Sequence, residues 1–154
     1  MAKVAIVSGS VSDSALVDII EENLDRFGVE YEASVRSAHR MPEKLREFTM
    51  SAADNGFQMI IAVAGLAAHL PGAIASMTDL PVIGVPAGGG PLNGVDALLS
   101  MVQMPGSTPV ATMAIGKAGA KNAAIFAARI FALNDETIAA KVKDYRRFLR
   151  EGGK

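Results

Sequence analysis

The chain has no cysteine, which excludes disulfides, zinc-thiolate sites and thiol nucleophiles together and suits a reducing cytosol. It also lacks an excess of either charge. Fifteen Lys and Arg stand against sixteen Asp and Glu, for a net charge of -1, so there is no strongly positive surface of the kind that nucleic acid or anionic lipid requires. Histidine is scarce, with two in the chain. Two histidines without cysteine or a ligand-type cluster argue against a metal site, because zinc sites need at least three protein ligands. Three common fingerprints are missing: GxGxxG after the first strand and GxxxxGK[ST], which leaves no sign of NAD or ATP, and GxSxG of the α/β-hydrolases. The opening MAKVAIVSGS has no signal-peptide cleavage pattern, so a cytoplasmic location is expected. The nearest approach to a membrane span is Met59 to Thr78, which carries no formal charge. Gly65, His69, Pro71 and Gly72 interrupt it, and Met59 to Ala64 reads as a short buried strand followed by a turn.

What is present is enough for one well-buried domain over residues 1–154, since half of the 154 residues are hydrophobic. Short apolar runs recur at Val4 to Val7, Met59 to Val63, Val82 to Val85 and Val110 to Ile115. Each is followed by Gly, Ser or Pro and then by a helical pattern, the alternation of a parallel sheet. Leu16, Ile19, Ile20, Leu24 and Phe27 mark one helix face that stops at Gly28. A strand over Glu30 to Val35 follows. Pro42 opens another helix, with apolar positions Leu45, Phe48, Thr49 and Ala52, that runs to a stop near Gly56. These βα units predict a three-layer α/β sandwich with a flavodoxin-like parallel sheet of order 2-1-3-4-5. Residues 135–151 form a terminal amphipathic helix with an apolar stripe of Ile138, Val142, Tyr145 and Leu149 between basic residues. The stripe needs a surface to cover, and a neighbouring subunit can supply one.

In such sheets ligands bind outside the carboxyl ends of the strands, where the unusual residues of this sequence gather. SGSVSD, Ser8 to Asp13, joins the first strand to the first helix. Backbone amides at a helix start, with the hydroxyls of Ser10 and Ser12, can hold a phosphate. Asp13 would repel a phosphate and is assigned to sugar hydroxyls. Capping of the helix by Ser12 or Asp13 is the alternative. SAHR, Ser37 to Arg40, faces the same crevice. Arg40 offers a fork of donors for phosphate, and His39 is of the one residue type whose ordinary pKa, about 6.5, suits proton transfer near neutrality. AGLAAHLPG, Ala64 to Gly72, has small residues where a flat aromatic ligand needs close backbone approach. His69 within it is expected to be buried and hydrogen-bonded, with service as a second proton carrier as the alternative. Gly88 to Pro91 reads as a lid or as a surface loop, although three consecutive glycines are entropically expensive in a plain connection.

Together GSVSD, SAHRMP, AAHLPG, GVDALLSMVQMP and AIGKAGAKNAA resemble, in order and spacing, the PurE family of 5-(carboxyamino)imidazole ribonucleotide mutases. The resemblance covers nearly the whole chain. It implies a class I enzyme of purine (IMP) biosynthesis that needs no cofactor and assembles as a homo-octamer, with active sites where subunits meet and the last helix packed on a neighbour. By the same resemblance Ser10, Asp13 and Arg40 match substrate-binding positions and His39 the general acid/base, while Ala64, Gly65, Ala67, His69 and Leu70 match the pocket wall. Ser12 and Ser37 join the substrate-binding set through their motifs. The implied reaction releases carbon dioxide from the N5-carbamate in a closed pocket, C4 captures it, and His39 removes the C4 proton. Three places depart from the family pattern. Val63 and Leu66 stand at usual glycines, Met41 at a usual threonine, and Gly88 to Pro91 replaces a serine- and alanine-rich segment. Two alternatives remain. A class II enzyme would carboxylate aminoimidazole ribonucleotide with free carbon dioxide, against which AAHLPG speaks. The other is a non-catalytic nucleotide-binding or signalling module; its receiver form would need an acidic cluster where this chain has Val7, Ser8, Gly9 and Ser10.

Overall fold

A computed structural model describes residues 1–153. Five parallel strands form one sheet: β1 (Lys3–Ser8), β2 (Glu30–Val35), β3 (Met59–Ala64), β4 (Val82–Pro86) and β5 (Ala111–Thr112). Their order is β2-β1-β3-β4-β5, the flavodoxin-like order that the alternation of strand and helix patterns predicts. The helices are α1 (Ser14–Phe27), α2 (Pro42–Ser51), α3 (Leu70–Ala75), α4 (Val95–Val102), α5 (Lys117–Phe131) and α6 (Glu136–Arg150).

Because strand side chains alternate between faces, the sheet feeds two cores. Val4, Ile6, Ile61, Val63 and Val85 point to one side and pack against α1, α5 and α6. Ala5, Val7, Ile60, Ala62 and Val82 point to the other and meet Leu45 of α2, Ile74 of α3 and Met101 of α4. β3 is buried along its whole length, as a central strand covered on both faces must be. The charge-poor stretch from Met59 is therefore a strand, a turn and a short helix, and among the described residues no helix is long and apolar enough to cross a membrane.

Local signals account for most boundaries. Gly28 ends α1 at φ +70°, and its N–H bonds to the Leu24 and Asp25 carbonyls, a left-handed cap that glycine adopts without a Cβ penalty. Pro42 opens α2. The fifth strand is shorter than the apolar run Val110 to Ile115 suggests. Only Ala111 and Thr112 pair regularly, with Ile83 and Gly84. This edge segment has one neighbouring strand, and it leaves the ladder to reach the Gly116 turn at φ +74°. It still touches β4 through the Met113 N–H to Gly84 O and the Gly116 N–H to Pro86 O, each at 2.8 Å.

The α6 stripe divides. Ile138 and Tyr145 are buried in the chain's own core, with the Tyr145 ring edge-on to Phe27 at 5.5 Å. Leu149 of the stripe and the adjacent Phe148 stay largely exposed.

Candidate active site

The order 2-1-3 sends the chain in opposite directions from β1 and β3, and a crevice opens at their carboxyl ends. It is closed at its base by the Gly9 N–H bonded to Val63 O at 3.0 Å. The cavity there measures about 620 Å³, within the usual range for small-ligand sites. Ser10, Ser12, Asp13, Ser37, His39, Arg40, Ala64, Gly65, Ala67, His69 and Leu70 all line it. Every candidate catalytic and substrate-binding residue from the sequence is thus brought into one place by three turns. Leu66 and Gly88 to Gly90 line it too, which puts the glycine loop at the cavity. Gly9, Ala38, Ala68 and Ala87 line it as well; they fall in the segments that the sequence places at the crevice but are not individually predicted as site residues. Their position just past strand ends was the available signal, but small apolar side chains carry no chemistry of their own.

In the first turn Ser10, and neither Ser12 nor Asp13, is the capping residue. Its Oγ accepts from the Ser12 N–H at 3.2 Å and from the Ser12 hydroxyl at 2.9 Å, and it starts a single 3-10 turn over Val11–Asp13. With two bonds accepted, the Ser10 hydroxyl keeps its own proton for an anion. Asp13 stands at the start of α1 without a capping bond from its side chain, and it lines the cavity. Burial pushes the Asp13 carboxyl above the ordinary carboxylate range, against a smaller opposing pull from a backbone hydrogen bond at Ser10.

The second turn is shaped by Ser37, which is buried; its Oγ accepts the Arg40 N–H at 3.3 Å. The Arg40 guanidinium donates to Gly9 O at 3.0 Å, tying the β2–α2 turn to the β1–α1 turn. The ion pairs among the described residues, Lys3–Glu32 and Arg147–Asp144, lie elsewhere. The Arg40 charge is left for a ligand.

The third turn corrects an expectation. His69 is exposed, and no protein partner holds its ring in a buried network. It precedes the first residue of α3, so its ring projects over the cavity while Ala68, Leu70 and Ile74 supply the apolar burial. There it stacks on His39, with ring centroids 5.3 Å apart and planes inclined by 30°. The two imidazoles of the chain thus sit side by side at one cavity.

The arrangement offers a cation and hydroxyls for a phosphate, a carboxylate for sugar hydroxyls, a flat floor of Ala and Gly, and an imidazole for proton transfer. A sequence model of the AIR carboxylase family matches residues 3–151. The N5-carboxyaminoimidazole ribonucleotide mutase of Vibrio vulnificus is 52% identical over 144 residues, covering 94% of this chain and 89% of that protein. The mutase of Escherichia coli K12 is 51% identical over 146 residues, covering 95% and 86%. The crystal structure of Treponema denticola PurE superposes with a TM-score of 0.90 at 29% identity, covering 99% of this chain and 94% of that one.

Proposed function

The chain belongs to the AIR carboxylase family, and from that premise we propose that it is an N5-carboxyaminoimidazole ribonucleotide mutase, an isomerase that converts N5-CAIR to 4-carboxyaminoimidazole ribonucleotide (CAIR) in purine biosynthesis. The observation that carries the reading is that His39 lines the same cavity as Arg40 and Asp13. A ribonucleotide held by phosphate and ribose then presents its ring to an imidazole. Arg40 with Ser10 and Ser12 binds the phosphate by charge-assisted bonds. Asp13 accepts from the ribose hydroxyls. Ala64, Gly65, Ala67, His69 and Leu70 form the wall against the ring, and Ser37 holds the turn that presents His39 and Arg40.

The isomerisation balances with one proton carrier. Protonated His39 gives its proton to N5 as the carbamate C–N bond breaks; the electron pair stays on nitrogen and carbon dioxide is freed. C4 of the aminoimidazole attacks that carbon dioxide and forms the new C–C bond. Neutral His39 then takes the C4 proton, which restores the aromatic ring and returns the imidazole to its starting state. Nothing is oxidised and no co-reactant is needed. Confinement does much of the rest, because a trapped carbon dioxide recombines as an intramolecular partner.

The same reading includes a cytoplasmic homo-octamer with α6 packed on a neighbouring subunit. Exposed apolar residues support assembly: Val95, Leu99 and Val102 lie on one face of α4, and Phe148 and Leu149 end α6. The rival within the family is direct carboxylation of aminoimidazole ribonucleotide by free carbon dioxide. Purified protein given each substrate in turn separates the two. Rapid CAIR formation from N5-CAIR is expected; brisk formation from aminoimidazole ribonucleotide plus carbon dioxide, with inertness toward N5-CAIR, would overturn the mutase reading.

A further inference from the structure

Leu66 is the one large apolar side chain at the cavity that remains well exposed, at 57%. It stands between Gly65 and Ala67 with φ +53°, a backbone conformation that a leucine side chain disfavours. Its carbonyl is held by the Ala68 N–H at 2.9 Å, so the turn keeps it there. The loop Gly88 to Gly90 lines the same cavity. A Cβ placed on Gly90 would come within 2.6 Å of Leu66 Cδ2, so the isobutyl group rests directly on that glycine. Gly90 itself has φ +66° and Gly89 φ +122°. A leucine on a disfavoured backbone, seated against a loop of glycines, joins the β3–α3 turn to the β4–α4 loop at the cavity.

We propose that Leu66 is the carbon-retention determinant of this site: seated on Gly90, it bars the mouth so that carbon dioxide released from the carbamate is captured by C4 before it escapes. The assignment rests on the mutase reading above. The chemistry makes such a barrier consequential, since freed carbon dioxide is small, apolar and uncharged, and no group in the cavity can hold it by charge. Its residence depends on the shape and wetness of the mouth. An apolar side chain there disfavours the water that would accompany escape.

The experiment supplies N5-CAIR carrying 13C in the carbamate, in buffer with unlabelled bicarbonate. Mass spectrometry follows the share of CAIR that keeps the label and the aminoimidazole ribonucleotide released, both net of uncatalysed loss. The parent is expected to keep nearly all the label. Leu66→Gly and Leu66→Ala are each expected to raise label loss by about tenfold, the scale of removing one leucine side chain from apolar contact. The pair separates side chain from backbone, since glycine relaxes the positive φ and alanine keeps it. Melting temperatures report folding, and Leu66→Gly is expected to melt no lower than the parent. Variants that turn over with the label kept as fully as in the parent overturn the proposal. So does turnover lost without release of aminoimidazole ribonucleotide, and so does a leak confined to the glycine variant. A parent that leaves N5-CAIR unconverted overturns the mutase reading and this proposal with it.

Discussion

At Asp13 burial of the carboxyl acts against stability, while on the proposed reading the same group binds the ribose. Its folded carboxyl is pushed above its ordinary range by burial, so between the unfolded and folded pKa values the native state binds more protons. Stability then falls as pH rises through that window, and the full penalty of the ionised form persists at neutral pH. Asp13→Asn is therefore expected to melt somewhat higher than the parent at pH 7, with the gain vanishing once the pH falls below the ordinary carboxylate range. The same variant loses the charged acceptor for ribose hydroxyls, and its KM for N5-CAIR is expected to rise by about tenfold or more. A scan of melting temperature against pH and a steady-state titration check the two halves separately. Arg40 is a simpler case, because its charge has no carboxylate partner among the described residues. Arg40→Ala should raise KM by about tenfold or more, while Arg40→Lys restores part of the affinity by keeping the charge without the fork.

At the scale of elements, α5 packs closely on α1. The inward face of α5 is Ala120, Ala123, Ala124, Ala127 and Ala128, all fully buried, so the helix backbone approaches its neighbours closely and has no slack for a larger side chain. Ala124→Leu is expected to destabilise the chain by about 1–3 kcal/mol, as overpacking does in a close-packed core; denaturant unfolding measures it. Those alanines also explain where sequence reasoning succeeds and where it stops. Regular spacing of large apolar residues marked α1, and short runs rich in Val and Ile marked β1, β3 and β4 closely. The fifth strand was overread because an edge segment with one neighbour need not pair along its whole apolar length. His69 was misplaced for a related reason. The apolar character of AGLAAHLPG describes its neighbours Ala68 and Leu70, whereas the ring's direction is set by the start of α3. The Leu66 contact with Gly90 was beyond reach, since it joins two turns more than twenty positions apart and depends on a left-handed backbone that composition does not announce.

At the scale of the whole molecule, the sheet order places the ends of β1 and β3 side by side, and the turns around them bring Ser10, Asp13, Arg40 and both histidines to one cavity. The apolar side chains left on α4 and at the end of α6 call for partners. Sedimentation equilibrium is expected to give about eight times the 16.0 kDa chain mass, and Leu99→Glu, a charge set in the middle of the exposed α4 face, to shift it toward smaller species. The proposed reaction requires the cavity to hold a ribonucleotide ring against a single imidazole. Turnover of N5-CAIR by His39→Asn, compared with its parent at equal substrate occupancy, tests that most directly. The rate should fall by about a hundredfold or more while substrate still binds; conversion by the asparagine variant at the parent's rate would contradict it.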